Sequence, residues 1–119
     1  MRADEVEEIF ADFAPIVIRR MFGGLGVYRD GLIFALVANG ELFLKTDAGT
    51  VPAFQEAGST PFVYDGGKSP VTMPYWRLPA EAFDNPDILA RFTHLALEVA
   101  ARAGPPKPRR KRRAKTTET

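Results

Sequence analysis

A chain of 119 residues with 45% hydrophobic content has room for one compact core. Its formal net charge of +1 conceals a division: residues 1–103 hold 9 basic and 14 acidic side chains, and residues 104–119 hold 7 basic and 1 acidic. Cysteine is absent, which excludes disulfides, thiolate nucleophiles and cysteine-ligated zinc or iron–sulfur centres. The longest strongly apolar run, Leu32 to Ala38, is far short of the roughly 20 residues that span a bilayer, and the acidic start at Asp4, Glu5, Glu7 and Glu8 is unlike a signal peptide. A cytoplasmic protein without a membrane span is expected.

From Asp4 to Phe13 the apolar residues Val6, Ile9, Phe10 and Phe13 recur at three- and four-residue spacing, with Asp4 placed as cap and Glu7 placed to complete a capping box. This predicts a first helix whose acids suit the positive end of the helix dipole. Pro15 ends it, and β-branched Ile16, Val17 and Ile18 open a strand-like stretch running to Met21 and Phe22. Val27 and Tyr28 lead into Asp30-Gly31, Leu32 to Ala38 form an apolar strand, and Asn39-Gly40 separates it from Glu41 to Lys45. Both dipeptides favour type I′ hairpin turns, which need positive φ at two successive positions.

Thr50 to Ala57 predicts a short second helix, with Thr50 as cap, Pro52 in its first turn and Gly58 as stop. Strands at Pro61 to Tyr64 and Val71 to Leu78 are joined by Asp65 to Pro70, a loop rich in turn formers. From Asp87 to Ala103 the positions Ile88, Phe92, Leu95, Ala96, Val99 and Ala103 form an apolar stripe opposite Arg91, His94, Glu98 and Arg102, which predicts a third helix stopped by Gly104. The order implies an α+β class in which helices cover an antiparallel sheet. Met21, Phe22, Phe34, Leu36, Phe62, Phe92, Leu95 and Val99 are expected in its core. The like-charge run Lys107, Arg109, Arg110, Lys111, Arg112, Arg113 and Lys115 cannot pack a core, so residues 1–103 are expected to fold as the domain and 104–119 to form a disordered basic tail.

The motifs that invite a chemical reading mostly lack its context. Gly23-Gly24-Leu25-Gly26 would need glycine or alanine at position 29 for a dinucleotide fingerprint, and Arg29 stands there; a strand follows instead of a helix, so these glycines read as structural. Gly67-Lys68-Ser69 has the end of a phosphate-loop motif, but Phe62 occupies the place of its first glycine and Pro70 forbids a helix after it. His94 has no nucleophile motif to serve and shares a helix face with Arg91 and Glu98. Glu81, Asp84 and Asp87 suit a helix start and do not have metal-ligand spacing. Neither a catalytic residue nor a metal or other cofactor is expected. Tyr28-Arg29 and Tyr75-Trp76-Arg77 set aromatics beside cations, the pairing that stacks bases on a sheet, although the acidic body disfavours nucleic acid there. The basic tail is suited to weak, sequence-independent nucleic-acid contact through Lys107, Arg109, Arg110, Lys111, Arg112, Arg113 and Lys115, or to solubilising the chain.

The run Arg19-Arg20-Met21-Phe22-Gly23-Gly24-Leu25-Gly26-Val27-Tyr28-Arg29-Asp30-Gly31 resembles the N-terminal domain of the TfoX/Sxy proteins, bacterial regulators of DNA uptake. Phe34, Lys45, Phe62, Tyr64, Met73, Tyr75 and Pro79 extend the likeness, which covers nearly all of residues 1–103. The resemblance implies the order α-β-β-β-α-β-β-α and a shape related to type III secretion chaperones. It carries no catalytic residue over, and the motif positions Arg20, Met21, Phe22, Gly23, Gly24, Gly26, Tyr28, Gly31, Lys45 and Tyr75 are read as structural. Full-length members add a C-terminal helical domain and act as coactivators of competence genes with a cAMP-receptor-type regulator. Only 15 residues follow Gly104, so a stand-alone N-terminal domain is expected. The functional expectation is a non-enzymatic regulatory or interaction module, its protein partner unknown and sought in the transcription machinery. The alternative is a small-molecule-binding protein or minor enzyme with a pocket near Gly23 to Gly26 and Tyr75-Trp76.

Overall fold

The computed structural model describes residues 1–21, 23–65 and 67–104. Phe22 and the whole basic run from Lys107 to Lys115 lie outside the described residues.

Helix α1 (Ala3–Ile9) starts one residue before Asp4. Glu5, and not Glu7, closes the reciprocal cap, because its Oε1 accepts from the Arg2 backbone N–H at 2.7 Å. A single 3-10 turn, Ala11–Phe13, carries the chain on to the sheet. Four strands then follow: β1 (Val17–Met21), β2 (Gly24–Arg29), β3 (Leu32–Ala38) and β4 (Glu41–Lys45). This is one strand more before the second helix than the family order implies, since the glycine turn at Gly23 divides the first strand-like stretch into β1 and β2. The Asp30-Gly31 and Asn39-Gly40 turns have φ of 54° and 79°, and of 54° and 76°, as type I′ hairpins require.

Helix α2 (Val51–Glu56) precedes β5 (Pro61–Tyr64) and β6 (Val71–Arg77), and a 3-10 turn at Ala80–Phe83 leads to α3 (Pro86–Ala103). Asn85 caps α3: its Oδ1 accepts from Asp87 N–H at 2.9 Å and Ile88 N–H at 3.2 Å, and Asp87 lies in the first turn, where the helix dipole favours an acid. At the other end Arg102 donates twice to Asp47 Oδ2, at 2.8 and 3.2 Å, tying α3 to the loop before α2. That hydrogen bond is the main reason the Asp47 carboxyl sits below the usual carboxylate range.

All six strands form one antiparallel sheet in the order β1-β2-β3-β4-β6-β5. Alternation along each strand sorts its residues to two faces. One row runs Ile18, Val27, Ala35, Leu44, Trp76, Pro61 across all six strands, and a second runs Arg20, Leu25, Val37, Leu42. These rows meet Val6 and Phe10 of α1, Phe13, Phe54 of α2, and Phe92, Ala96 and Ala100 of α3 in a single core. Phe10 packs edge-on to Phe34 at 5.2 Å between ring centroids, and Phe54 to Phe92 at 4.8 Å. All the helices therefore cover the same side of the sheet.

Two irregularities shape it. Val27 faces Ala35 while Tyr28 faces Ile33, so Phe34 is an extra residue in β3 and enters the core beside Ala35. Between the Pro61–Trp76 and Val63–Thr72 pairs, β6 carries two residues more than β5, a bulge that accommodates Pro74, which lacks an N–H for the ladder.

The expected core is corrected in part. Phe34, Phe92 and Val99 are buried, and Leu95 packs half-buried against the core. Met21, Leu36 and Phe62 lie on the other face, because strand alternation turns them away from the helices. Ala103, at the end of the α3 stripe, is exposed.

Candidate functional site

On the helix-free face, register sets Arg19, Gly26, Leu36, Phe43 and Arg77 side by side in one row across five strands. Lys45 and Tyr75 pair in the next row of the same face. Phe43 is buried without help from any helix, since the Phe62 ring stands over it at 4.9 Å and the Arg77 guanidinium lies 5.8 Å from its ring centre. Arg77 is itself held by Glu41 through two contacts, Nε to Oε1 at 2.8 Å and Nη2 to Oε2 at 3.1 Å. Arg19 lies over the Tyr28 ring at 6.0 Å. A small second cluster of aromatic and aliphatic side chains, rimmed by cations, thus forms on the side that helices leave open.

This face is concave. Met21 ends β1 at one edge of the sheet and Phe62 to Tyr64 belong to β5 at the other, with Asp65 directly after it, yet both edges line one cavity of about 500 Å³. Leu36, Met73 and Tyr75 also line it, with Ala38 and Asn39 at the β3–β4 turn. Gly23 borders it, and so lies near Tyr75 as the pocket reading expected. Trp76 does not: adjacent residues of a strand point to opposite faces, and Trp76 packs into the core at 6.5 Å from the Phe54 ring. The helix side of the same hairpin end bears a wider, open hollow of about 980 Å³ among Arg2, Glu7, Arg20, Gly24 and Gly40. Its Arg2 is already paired with Asp4 at 2.8 Å.

Tyr75 is the perturbed acid of the site. Burial first, and the neighbouring Tyr28 second, push its phenol up to about 12 from an ordinary 10.0. A group whose folded pKa is raised binds its proton more tightly in the native state, so the stability it contributes is full below about pH 10 and is lost as pH rises through about 12. Alkaline denaturation followed from about pH 9 upward should show this loss in the wild type and a reduced loss in Tyr75→Phe. Equal alkaline slopes for the two proteins would place the perturbation elsewhere.

The other residues singled out by sequence lie apart from the cup. His94 is exposed on α3 and packs edge-on to Phe13 at 5.4 Å. Gly67, Lys68 and Ser69 occupy the exposed β5–β6 connection. Gly24 and Gly26 sit on β2, where an added Cβ would overlap the Val37 carbonyl oxygen in the first case and meet Met21 Sδ at 2.5 Å in the second. Gly31 is in the β2–β3 turn, Tyr28 and Lys45 are half-buried on the helix-free face, and Arg20 is exposed beside α1. Among the described residues there is no group of three or more histidine, aspartate or glutamate side chains able to hold a metal ion, and no helix is long and apolar enough to cross a membrane. Leu36 and Phe43 were not legible as site residues; every position from Leu32 to Ala38 is apolar, as is the run Leu42-Phe43-Leu44, so alternation in these strands carries no polar phase to reveal which face each occupies.

The fold and the site define a class: a small α+β domain whose antiparallel sheet is packed by helices on one side and cupped and open on the other. The chain belongs to the TfoX N-terminal domain family, whose sequence profile matches residues 8–100 of its 119. Among curated proteins none matches it.

Proposed function

We propose that this protein is a non-enzymatic regulatory module of the bacterial cytoplasm that recognises its partner through the helix-free face of the sheet. Membership of the TfoX N-terminal domain family supports a regulatory, competence-associated role in general terms. The observation that carries the surface is the row Arg19, Leu36, Phe43, Arg77 with Lys45 beside it, an apolar centre with a cationic rim and no helix over it. A pull-down from a bacterial extract with the full chain should retain a stoichiometric protein. Arg19→Glu combined with Lys45→Glu should lose it at an unchanged Tm, because reversing rim charges alters association more than folding. Retention by the double variant would remove the face from the interaction, and a wild type that retains nothing would count against the module itself.

The tail adds a separate, sequence-independent contact with nucleic acid. Seven cations should give weak binding that falls steeply as salt rises, since affinity follows the number of phosphates neutralised. Gel-shift titrations at two salt concentrations should therefore show binding by the full chain and none by a chain ending at Gly104. Equal binding by both would move recognition onto the folded body, and binding by neither would leave the tail a solubilising end.

The cavity of about 500 Å³ favours a second reading, a small-molecule-binding protein, because Gly23 and Tyr75 border the same space.

A further inference from the structure

We propose that the cup on the helix-free face binds a neutral, largely apolar small molecule bearing a hydrogen-bond acceptor, with the Tyr75 hydroxyl as its polar anchor. The inference rests on the helix-free face being a recognition surface, and it gives the second reading above a ligand class.

Size comes first. A volume of about 500 Å³ falls within the roughly 300–1,000 Å³ of small-ligand pockets. It equals about one turn of a helix with its side chains, a cylinder some 11 Å across and 5.4 Å long, so a docked helix finds too little room. The lining chemistry comes second. Met21, Leu36, Phe62 and Met73 offer apolar walls, two of them unbranched thioethers that adapt to an irregular shape. Neither lysine nor arginine is among the described lining residues, and the one charged side chain is Asp65, which repels an anion. Asp65 is exposed at the rim, a position in which it recognises a cation only weakly.

The anchor supplies the third observation. Tyr75 is only 7% exposed and lines the cavity, yet its hydroxyl has no hydrogen-bond partner among the described residues. An acceptor on a ligand would give that hydroxyl a partner in a site shielded from bulk water. The phenol stays protonated through neutral pH, held up by burial, so it donates and does not repel an acceptor. Tyr75 and Leu36 come from β6 and β3, on either side of β4, and Met21 comes from the far edge, which explains why the cup exists only in the folded chain.

Nile red is a suitable probe, being neutral, apolar and equipped with a carbonyl acceptor. The full chain should give a saturable, blue-shifted fluorescence with one dye per chain. Tyr75→Phe should weaken the dye roughly tenfold, the effect of one neutral hydrogen bond. Ala38→Trp should fill the cup and abolish binding. Methyl-labelled methionine provides a measurement that needs no variant: the Met21 and Met73 resonances should shift on dye addition, while Met1, which lies outside this cavity, stays in place. Absence of saturable binding, undiminished binding by a folded Ala38→Trp, or a shift of Met1 in place of Met73 would overturn the site. Unchanged affinity in Tyr75→Phe would overturn the anchor. A chain that takes up no dye yet still captures a protein sensitive to the Arg19 and Lys45 reversals refutes the ligand site alone; a chain that binds dye in the cup and captures no protein supports the site and refutes the protein-partner reading.

Discussion

Phe92→Ala should destabilise the domain by about 3–5 kcal/mol, the usual cost of emptying a buried phenylalanine site. Phe92 is 1% exposed and its ring packs edge-on to Phe54 at 4.8 Å, itself fully buried, so truncation leaves a cavity between α3 and α2 that neither helix can readily close. Against a total stability of about 5–15 kcal/mol this is a large fraction, and for a domain of this size it lowers Tm by more than about 10 °C. Urea unfolding at fixed slope measures it directly. Leu36→Ala is the control: Leu36 is half-buried on the opposite face and belongs to the cup, so its loss should cost clearly less. A near-zero effect at Phe92 would mean that the apolar stripe of α3 does not face the sheet.

Gly24→Ala should also be severe, at or beyond the upper end of the roughly 1–3 kcal/mol typical of overpacking. The Cβ it adds would overlap the Val37 carbonyl oxygen, with the carbonyl carbon at 3.1 Å. A backbone oxygen in the neighbouring strand cannot swing aside, so β2 and β3 must separate. Gly26→Ala makes the contrast two residues away. Its new Cβ meets Met21 Sδ at 2.5 Å, the far end of a flexible side chain, with the Tyr28 ring at 3.1 Å. Rotation of Met21 relieves most of that overlap, and alanine gains about 0.4–1 kcal/mol through the unfolded chain, so the net change should be about 1 kcal/mol or less. Paired thermal melts decide it. Comparable losses at both positions would show that the clash at Gly24 is relaxed by a route other than strand separation.

These two experiments probe features that were unequally legible. The hairpins were readable because Asp30-Gly31 and Asn39-Gly40 are local: positive φ at successive residues depends on the dipeptide more than on anything distant. The third helix was readable because Ile88, Phe92, Ala96 and Val99 repeat at helical spacing against Arg91, His94 and Glu98. Its cap was not legible, since Asn85 and the acids on either side of it are all competent acceptors and only backbone geometry selects among them. Hydrophobicity alone assigns Leu36 and Phe62 to the core, because it says that a side chain is withdrawn from water, not which side of a sheet withdraws it.

The separation of local from distant information runs through the molecule. By itself the sequence determined the family, the α+β class, the turns, the strand-forming segments and the apolar stripe of α3, all of which depend on residues within a few positions of one another. Tertiary structure alone decided the rest. The extra residue Phe34 in β3 sets which of its neighbours face the helices, Trp76 parts from Tyr75 across the sheet, and curvature brings Met21 near Tyr64 and Asp65 although four strands lie between β1 and β5. Such placements follow from strand register and sheet twist, which are cooperative properties of many strands packed on one helical layer, and no local pattern of residues encodes them.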